Sequence, residues 1–403
     1  MAKVYPFKAL RPKKEYAAKV ASVPYDVVNR VEAKELSDDN SISFLHVTKP
    51  EIDLDDSIDV YDDRVYIQGR KALDSLQEQG ILTQDSVKAF YIYRLKMGEH
   101  VQTGIVLGAS VADYNTNLIR KHEFTRPVKE DDRVKHMVAL GAQSGTVFLV
   151  HKPHAVLSEL TERITAVSPI YCFSAADGIE HTLWIIDDTK DIEQCQSAFN
   201  NLGPIYIADG HHRSAAASRY VKEEAKGESG LWDMFLAVSF PTDEIQILPY
   251  NRLVKDLHNH SLEEFVSLLS KSFDIEPGKG ELKRGQFNMF LAEKWYHLRA
   301  KPELLEQDHP VARLDVSILQ EYCLSPVLGI QDPRRDIRVD FVGGIRGDAE
   351  IEKRVLDGWA VGFSLYPTSI DDLVEIADAN EVMPPKSTWF EPKLRDGLVI
   401  HKL

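Results

Sequence analysis

A run of polar residues from Asp209 to Arg213 brings one carboxylate, two imidazoles and one guanidinium into a single short stretch. The imidazoles are those of His211 and His212, and Gly210 separates them from the Asp209 carboxylate. Phosphate and carboxylate ligands bind where side chains that can carry positive charge meet free backbone N–H groups. A neighbouring carboxylate can hold the hydroxyl group that attacks a phosphoryl group. These residue types predict an anion site formed by Gly210, His211, His212 and Arg213, with catalytic roles for Asp209 and His211.

The surrounding sequence predicts the elements that hold this run in place. Residues 204–208 form a β-branched and aromatic run that predicts a buried strand, and Asp209-Gly210 is a typical turn sequence. From Ser214 onward the chain has strong helix propensity. This order would place the polar run at a helix N-terminus, which favours anions. The alternative is a surface turn in which Asp209 only caps the helix. Positive charge in a first helical turn is unfavourable without an anion, which argues for a ligand.

Two further pairs of polar residues are candidates for the same site. Tyr25 and Asp26 follow Pro24, which restricts the preceding backbone, and they are predicted to bind the substrate. His122 and Glu123 precede a predicted helix at residues 129–140 and can act as acid, base or metal ligand. Each pair also has a structural interpretation: a packed tyrosine beside a helix cap for the first, and a solvated charged stretch for the second.

The segment at residues 383–394 is rich in proline and also basic and aromatic. It predicts either an arm packed across the protein or a ligand contact in which Lys386 and Ser387 bind a phosphate. We expect these two residues and the two pairs above to converge on Asp209 in one cleft, because binding sites collect polar groups from different elements.

Composition and missing motifs exclude several classes of function. The formal net charge of −15 argues against a nucleic-acid surface. No apolar run of about 18 residues and no signal-peptide pattern is found, so no membrane partner is expected. The cysteines, Cys172, Cys195 and Cys323, are odd in number and lack metal-ligand spacing, which favours a reducing, cytoplasmic location. The motifs of P-loop proteins, α/β-hydrolases and metalloprotease helices are missing, and no metal ligands are assigned.

The length of 403 residues is too great for one ordinary core and predicts more than one lobe. Hydrophobic patterns predict, among other elements, a helix at residues 61–79, a strand at residues 104–114 and a hairpin at residues 287–298. We predict an α/β (α+β) fold with a mixed sheet that holds the central turn. The expected divisions are an N-terminal α/β lobe (1–165), a central core with the turn (166–255) and a C-terminal α/β lobe with the proline-rich arm (256–403).

Five stretches resemble the domain of unknown function 1015 family, and they run from one end of the chain to the other. They are residues 5–12, 23–27, 122–123, 208–213 and 383–388. The stretch from Asp209 to Arg213 more distantly resembles the phosphate-binding turn of the ParB/sulfiredoxin superfamily, which includes ParB nucleotide-binding domains, sulfiredoxin and free serine kinases. This resemblance implies a ParB/sulfiredoxin-like central core.

Within that superfamily the resemblance favours the kinase branch. His211 stands where sulfiredoxin has its reactive cysteine, and no DNA-binding helical domain of the ParB type is found in the sequence. By analogy with the free serine kinases, Asp209 would help to activate the hydroxyl, while His211, His212 and Arg213 would hold the transferred phosphates.

The predicted function is a phosphotransferase that uses ATP or ADP, with Mg²⁺, to phosphorylate a small hydroxyl metabolite, free L-serine being the first candidate. A non-catalytic nucleotide- or phosphometabolite-binding regulatory protein and a phosphohydrolase remain open, because residue types alone do not separate them. The expected partners are a small-molecule substrate and a nucleotide, without nucleic acid or membrane. Assembly into a homo-oligomer is left open.

Overall fold

The computed structural model describes residues 2–225 and 228–403, and the chain divides into two compact units. The first unit is Met1–Ile245 together with Pro392–Leu403, and the second is Gln246–Glu391. The chain thus leaves the first unit after Ile245 and returns to it at Pro392. The predicted boundaries near residues 165 and 255 do not coincide with the edges of these units. Whether the three predicted lobes fold independently stays a prediction.

Strands and helices alternate along most of the chain. The strands are β1 (Val4–Tyr5), β2 (Ala9–Pro12), β3 (Leu82–Gln84), β4 (Phe90–Met97), β5 (His100–Ser110), β6 (Ile119–Arg120), β7 (Ala142–Gln143), β8 (Val147–His151), β9 (Tyr171–Ser174), β10 (Glu180–Ile186), β11 (Ile205–Asp209), β12 (Met234–Pro241), β13 (Gln246–Leu248), β14 (Tyr250–Val254), β15 (Phe273–Pro277), β16 (Gln286–Leu291), β17 (Lys294–Ala300), β18 (Val339–Gly343), β19 (Val361–Leu365), β20 (Trp389–Glu391) and β21 (Ile400–Lys402). The α-helices are α1 (Ala17–Val20), α2 (Arg30–Ser37), α3 (Leu45–Thr48), α4 (Asp63–Glu78), α5 (Val111–Asn115), α6 (Pro127–Leu140), α7 (Ala155–Thr165), α8 (Thr189–Asn201), α9 (His211–Glu223), α10 (Leu262–Leu269), α11 (Pro302–Leu305), α12 (Asp315–Leu319), α13 (Gly347–Leu356) and α14 (Ile370–Asp378).

The first unit is built on a nine-stranded sheet with the order β6-β11-β8-β12-β5-β4-β10-β9, in which β1 also pairs with β5. The pairs β6–β11 and β8–β12 are parallel, whereas β8–β11, β5–β12 and β4–β5 are antiparallel. Its main core combines apolar residues of these strands with residues of α7, α8 and α9. The predicted α/β class with a mixed sheet is confirmed, and the likeness of the core to the ParB/sulfiredoxin superfamily stays a prediction.

Small residues let α9 lie close to its neighbours in the first unit. Ala215, Ala216 and Ala217 are buried in the core together with Val134 and Met137 of α6. Alanine has the highest helix propensity and no long side chain to keep neighbouring backbones apart. The N-terminal turns of α9 are therefore fixed against the sheet that carries β11, and the polar run lies at this junction.

Both units contain further β-sheets. In the first unit, β3, β2, β21 and β7 form a second sheet in that order. The second unit holds a six-stranded antiparallel sheet with the order β15-β17-β16-β19-β14-β18, and β13 pairs with β20. The predicted hairpin is confirmed as β16–β17, and Ala292 and Glu293 of its turn have positive φ, as the tight hairpin turn requires.

One predicted element is wrong in part. The strand predicted at residues 104–114 ends at Ser110 as β5, and α5 begins at Val111. The Ser110 hydroxyl accepts a hydrogen bond from the Asp113 N–H at 3.1 Å and so caps the helix, which outweighs the β-branched pattern. The predicted helix at residues 61–79 is confirmed as α4. None of the helices within residues 2–225 and 228–403 is long and apolar enough to cross a membrane.

Candidate active site

The central turn has the strand–glycine–helix geometry that the sequence predicts. Strand β11 ends at Asp209, Gly210 has φ +94°, and α9 begins at His211. A Cβ atom on Gly210 would lie 3.3 Å from Cα of Val147 on the paired strand β8, so both backbone conformation and space favour glycine. The N–H groups of His211 and His212 have no acceptor within the helix, because helix geometry leaves the first donors unpaired, whereas the Arg213 N–H donates to the Gly210 carbonyl at 2.9 Å. The turn therefore offers backbone donors beside the Asp209 carboxylate.

The Asp209 carboxylate is ionised and partly accessible, with 40% of its side-chain surface exposed. Its Oδ1 accepts a hydrogen bond from the Gly210 N–H at 2.7 Å, and its Oδ2 lies 3.2 Å from Nζ of Lys393. Burial opposes ionisation, but the charges of Lys393 and Arg213 and the Gly210 hydrogen bond hold the pKa of Asp209 well below its ordinary value. The result is an anchored carboxylate anion at the start of a helix.

Lys393 is a site residue that the sequence did not identify. It lies in the C-terminal segment that returns to the first unit at Pro392. The sequence directed attention to Lys386, seven positions earlier in the same proline-rich stretch. No local pattern distinguishes the two lysines, because the contact with Asp209 spans 184 positions of sequence.

His122, Glu123 and His211 form a second group at the turn, as the sequence predicted for these three residues. The rings of His122 and His211 meet edge to face, with centroids 4.5 Å apart. The backbone N–H of His122 donates to Nε2 of His211 at 3.4 Å, which places the His211 proton on Nδ1. That Nδ1 lies 3.7 Å from the Glu123 carboxylate, whose side chain is 43% exposed. Glu123 is thus placed to orient the imidazole of His211.

The imidazoles at the turn are neutral at physiological pH. Burial lowers the pKa of His122 to about 4. Burial and the neighbouring His122 hold the pKa of His211 well below its ordinary value. Burial also lowers the pKa of His212, whose Nε2 accepts a hydrogen bond from the Arg126 N–H at 3.1 Å. The two histidines of the helix start therefore serve as neutral hydrogen-bonding groups, and their role in binding an anion stays a prediction.

The Arg213 side chain is positively charged and lies mostly buried next to the turn. Its guanidinium donates to the Thr146 carbonyl at 2.7 Å and lies 3.1 Å from the Asp26 carboxylate, with 10% of its side chain exposed. The Tyr25 ring lies below it, 5.4 Å from the guanidinium carbon to the ring centroid. Burial opposes the charge, but Asp26 and Asp396 raise the pKa of Arg213 above its ordinary value. Tyr25 and Asp26, distant in sequence, are thus both brought to the turn.

Asp396 is a second residue that the sequence did not single out. Its side chain is buried, and neither carboxylate oxygen has a hydrogen-bond partner within the described part of the chain. It lines a cavity of about 30 Å³ with Tyr25, Arg133 and Arg213, and such a volume holds one or two water molecules. Burial raises the pKa of Asp396 to about 7. Nothing in the local sequence around position 396 indicates a buried carboxylate.

Lys386 and Ser387 belong to the second unit. The Ser387 hydroxyl donates to the Pro384 carbonyl at 2.7 Å, and the Thr368 hydroxyl donates to the Ser387 carbonyl at 3.0 Å. The Lys386 ammonium lies 5.4 Å from the centroid of the Tyr250 ring. Their convergence with Asp209 in one cleft stays a prediction.

Within residues 2–225 and 228–403, no group of three or more His, Cys, Asp or Glu side chains is arranged to hold a metal ion.

Comparison with known families gives one match. The family described as "Protein of unknown function (DUF1015)" matches residues 4–317, which is most of the chain and includes the whole central turn. The chain belongs to this family. Among its site residues, the matched range holds Tyr25, Asp26, His122 and Glu123, while Lys386 and Lys393 lie beyond it. No curated protein sequence matches the chain.

Three solved structures resemble the chain at low sequence identity. A free serine kinase mutant in complex with AMP is 15% identical, with 73% of this chain and 91% of that chain covered and a TM-score of 0.35. A conserved hypothetical protein from Pyrococcus furiosus is 12% identical, with 73% and 94% covered and a TM-score of 0.34. SbnI with a C-terminal truncation, from Staphylococcus aureus, is 11% identical, with 73% and 86% covered and a TM-score of 0.40.

Proposed function

We propose that this protein is a phosphotransferase that uses ATP or ADP to phosphorylate a small hydroxyl metabolite, with free L-serine as the first candidate. The observation that carries the proposal is the Asp209 carboxylate. It is held ionised at the start of α9, 3.2 Å from the Lys393 ammonium, and it remains partly exposed. Phosphoryl transfer needs little covalent chemistry from a protein, and it depends on positioned charge and on a group that orients the attacking hydroxyl.

The phosphates of the nucleotide are proposed to lie on the first turn of α9. Gly210 allows the backbone to turn so that the first N–H groups of the helix face the ligand, and the helix dipole favours an anion there. The neutral imidazoles of His211 and His212 each keep Nδ1 as a donor, because their Nε2 atoms accept backbone N–H groups. Arg213 acts through its charge, since its terminal nitrogens contact Thr146 and Asp26.

The acceptor hydroxyl is proposed to bind at Asp209. In the reaction, a bond forms between the hydroxyl oxygen and the transferred phosphorus, and the bond between that phosphorus and the bridging oxygen of the nucleotide breaks. The hydroxyl proton leaves through Asp209, and the leaving phosphate stays on the nucleotide. Glu123 orients His211, and His122 packs against its ring, so that the imidazole is fixed beside the reacting groups. Tyr25 and Asp26 are proposed to contact the rest of the substrate.

Mg²⁺ fits this arrangement as a partner of the nucleotide. The ion prefers oxygen ligands and binds through one or two carboxylates together with substrate phosphates. Asp209 and Glu123 are partly exposed carboxylates near the helix start and would supply those protein ligands. The chemistry that a bound Mg²⁺ would supply is positive charge that offsets the negative charge of the phosphates during transfer.

The test is a product assay on the purified full chain. The protein is incubated with Mg²⁺, with ATP or ADP, and with L-serine or a panel of other small hydroxyl metabolites, and products are followed by ³¹P NMR. A phosphate ester should form with at least one acceptor. Asp209→Asn should lower the rate by about 100-fold or more, the usual contribution of a group that handles the reacting proton. Asp187→Asn is the matched control, because Asp187 also follows a strand of the same sheet but is exposed.

The products of this assay distinguish a phosphotransferase from a binding protein and from a phosphohydrolase. Nucleotide binding without product for any acceptor would identify a non-catalytic binding protein. Release of inorganic phosphate without a phosphorylated acceptor would identify a phosphohydrolase. Equal rates for Asp209→Asn and Asp187→Asn would contradict the role given to Asp209.

A further inference from the structure

The first unit contains a second polar cavity that the central turn does not line. Its volume is about 220 Å³, and its walls come from β4, β5, β8, β12, α7 and the short turn after β12. At roughly 30 Å³ for each water molecule, this is space for about seven of them, which suits a compact metabolite. Neither Asp209 nor any residue of the α9 start belongs to its lining.

The guanidinium of Arg94 on β4 lines this cavity, and its terminal nitrogens are available to a ligand. Its Nε donates to the Thr103 hydroxyl at 3.0 Å, and the guanidinium carbon lies 5.0 Å from the centroid of the Trp184 ring. These two contacts fix the plane of the group. Within residues 2–225 and 228–403, its terminal nitrogens have neither a hydrogen-bond acceptor nor an acidic side chain within 4.0 Å. A fixed guanidinium whose two terminal NH2 groups are free is suited to bind a carboxylate through both of them.

Glu244 brings the opposite charge to the same cavity. Its Oε2 accepts a hydrogen bond from the Thr103 N–H at 2.6 Å. Thr103 therefore holds both charged groups, Glu244 through its backbone and Arg94 through its hydroxyl. The two side chains nevertheless do not form an ion pair in the described structure, although both line the cavity. Burial raises the pKa of Glu244, while the Thr103 N–H and the nearby charge of Arg94 oppose that rise, and a cationic ligand group would favour the carboxylate anion further.

The lining also holds two histidines, several hydroxyl groups and one more carboxylate. Nδ1 of His151 and the Ser239 hydroxyl share a hydrogen bond at 2.7 Å, and burial lowers the pKa of His151 to about 3. Nδ1 of His154 is buried without a hydrogen-bond partner among the described residues. The further carboxylate, Glu162 of α7, is exposed. The arginine and acidic side chains of the lining are thus one guanidinium and two carboxylates.

We infer that this cavity binds a small zwitterion, an α-amino acid of about the size of alanine or serine. Its carboxylate would pair with the guanidinium of Arg94, and its ammonium group would pair with the carboxylate of Glu244. A ligand with both charges pairs with the two side chains at once, whereas a ligand with one charge leaves one half-buried charged group unpaired. The inference does not depend on the function proposed for the Asp209 turn.

The test is isothermal titration calorimetry on the full chain with glycine, L-alanine and L-serine as zwitterionic probes. Propionate and ethylamine are the matched single-charge probes. At least one amino acid should bind, and each single-charge probe should bind at least tenfold more weakly than L-alanine. Failure of all three amino acids to bind would overturn the inference, as would equal binding of propionate and L-alanine.

Two variants and one control locate the binding. Glu244→Gln keeps an acceptor for the Thr103 N–H and removes the charge, and Arg94→Gln removes the guanidinium. Each should weaken amino-acid binding at least tenfold, while circular dichroism and thermal melting verify that the variants are folded. Asp187→Asn, an exposed residue that lines neither site, should leave L-alanine binding unchanged. If Asp209→Asn abolishes binding and Glu244→Gln does not, the amino acid binds at the central turn and the inference is wrong.

Discussion

Replacing Asp396 with asparagine should stabilise the first unit above neutral pH and should have little effect in acid. Asp396 is buried, and both of its carboxylate oxygens lack hydrogen-bond partners in the described structure. Burial raises the pKa of Asp396 from an ordinary value of 3.8 to about 7. The folded protein therefore keeps a proton that the unfolded chain loses between these two values. Stability that is fully present below about pH 4 is lost as the pH rises toward 7.

The size of the effect follows from the same two pKa values. Each pKa unit corresponds to about 1.36 kcal/mol, so the difference between 3.8 and about 7 sets an upper limit of about 4 kcal/mol for the loss. Asparagine has nearly the same shape and cannot ionise, so the variant escapes this loss. At pH 8 the Asp396→Asn protein should be the more stable of the two by up to about 4 kcal/mol. At pH 5, which is much closer to the unfolded value of 3.8, the advantage of the variant should shrink to about 1.6 kcal/mol.

The assay is urea unfolding from pH 5 to pH 8.5 for the wild type, Asp396→Asn and the exposed control Asp187→Asn. Because the chain has two compact units, the unfolding curves are fitted with separate transitions. The difference between wild type and variant cancels the contributions of the other titrating groups. A stability difference that does not change with pH, or a variant that is less stable than the wild type at pH 8, would show that burial does not raise the pKa of Asp396.

Three further predictions concern the turn itself. Gly210→Ala should destabilise the first unit by about 1–2 kcal/mol in urea unfolding, because φ is +94° and the new Cβ would meet Val147; unchanged stability would contradict this geometry. Arg213→Ala should lower the free energy of unfolding by about 3–5 kcal/mol in the same assay, because the Asp26 carboxylate and the Thr146 carbonyl lose the cation that contacts them. A decrease below about 1 kcal/mol would show that water replaces the guanidinium at these groups. Lys393→Met should raise the pKa of Asp209 and move the acid limb of the phosphotransfer rate to higher pH. Lys386→Met should leave the pH dependence of the rate unchanged. A shift in Lys386→Met but not in Lys393→Met would show that Lys386, and not Lys393, acts on Asp209.

The sequence predicted the parts of the site that depend on neighbouring residues. Strand, glycine turn and helix around Asp209 follow from short-range propensities, although α9 begins at His211, before the strong helix formers that start at Ser214. The hairpin β16–β17 and helix α4 were predictable for the same reason. The end of β5 was missed, because the hydroxyl of Ser110 decides it and the β-branched pattern continues beyond that residue.

Charge states and long-range partners were not predictable in this way. The imidazoles of His211 and His212 are neutral because they are buried and accept N–H groups from residues 89 and 86 positions away. A single sequence gives no sign of such contacts. The pairing of Lys393 with Asp209 and the burial of Asp396 also depend on how the C-terminal segment returns to the first unit. These features are set by tertiary packing.

A crystal structure of the protein with ADP and Mg²⁺ would test the proposed phosphotransfer site directly. A phosphate oxygen should lie within about 2.7–3.2 Å of a backbone N–H in the first turn of α9. The Asp209 carboxylate should face the space beside the terminal phosphate, where a serine-sized hydroxyl compound fits. Density for the nucleotide at another place in the first unit, with no ligand at residues 209–213, would contradict the proposed site.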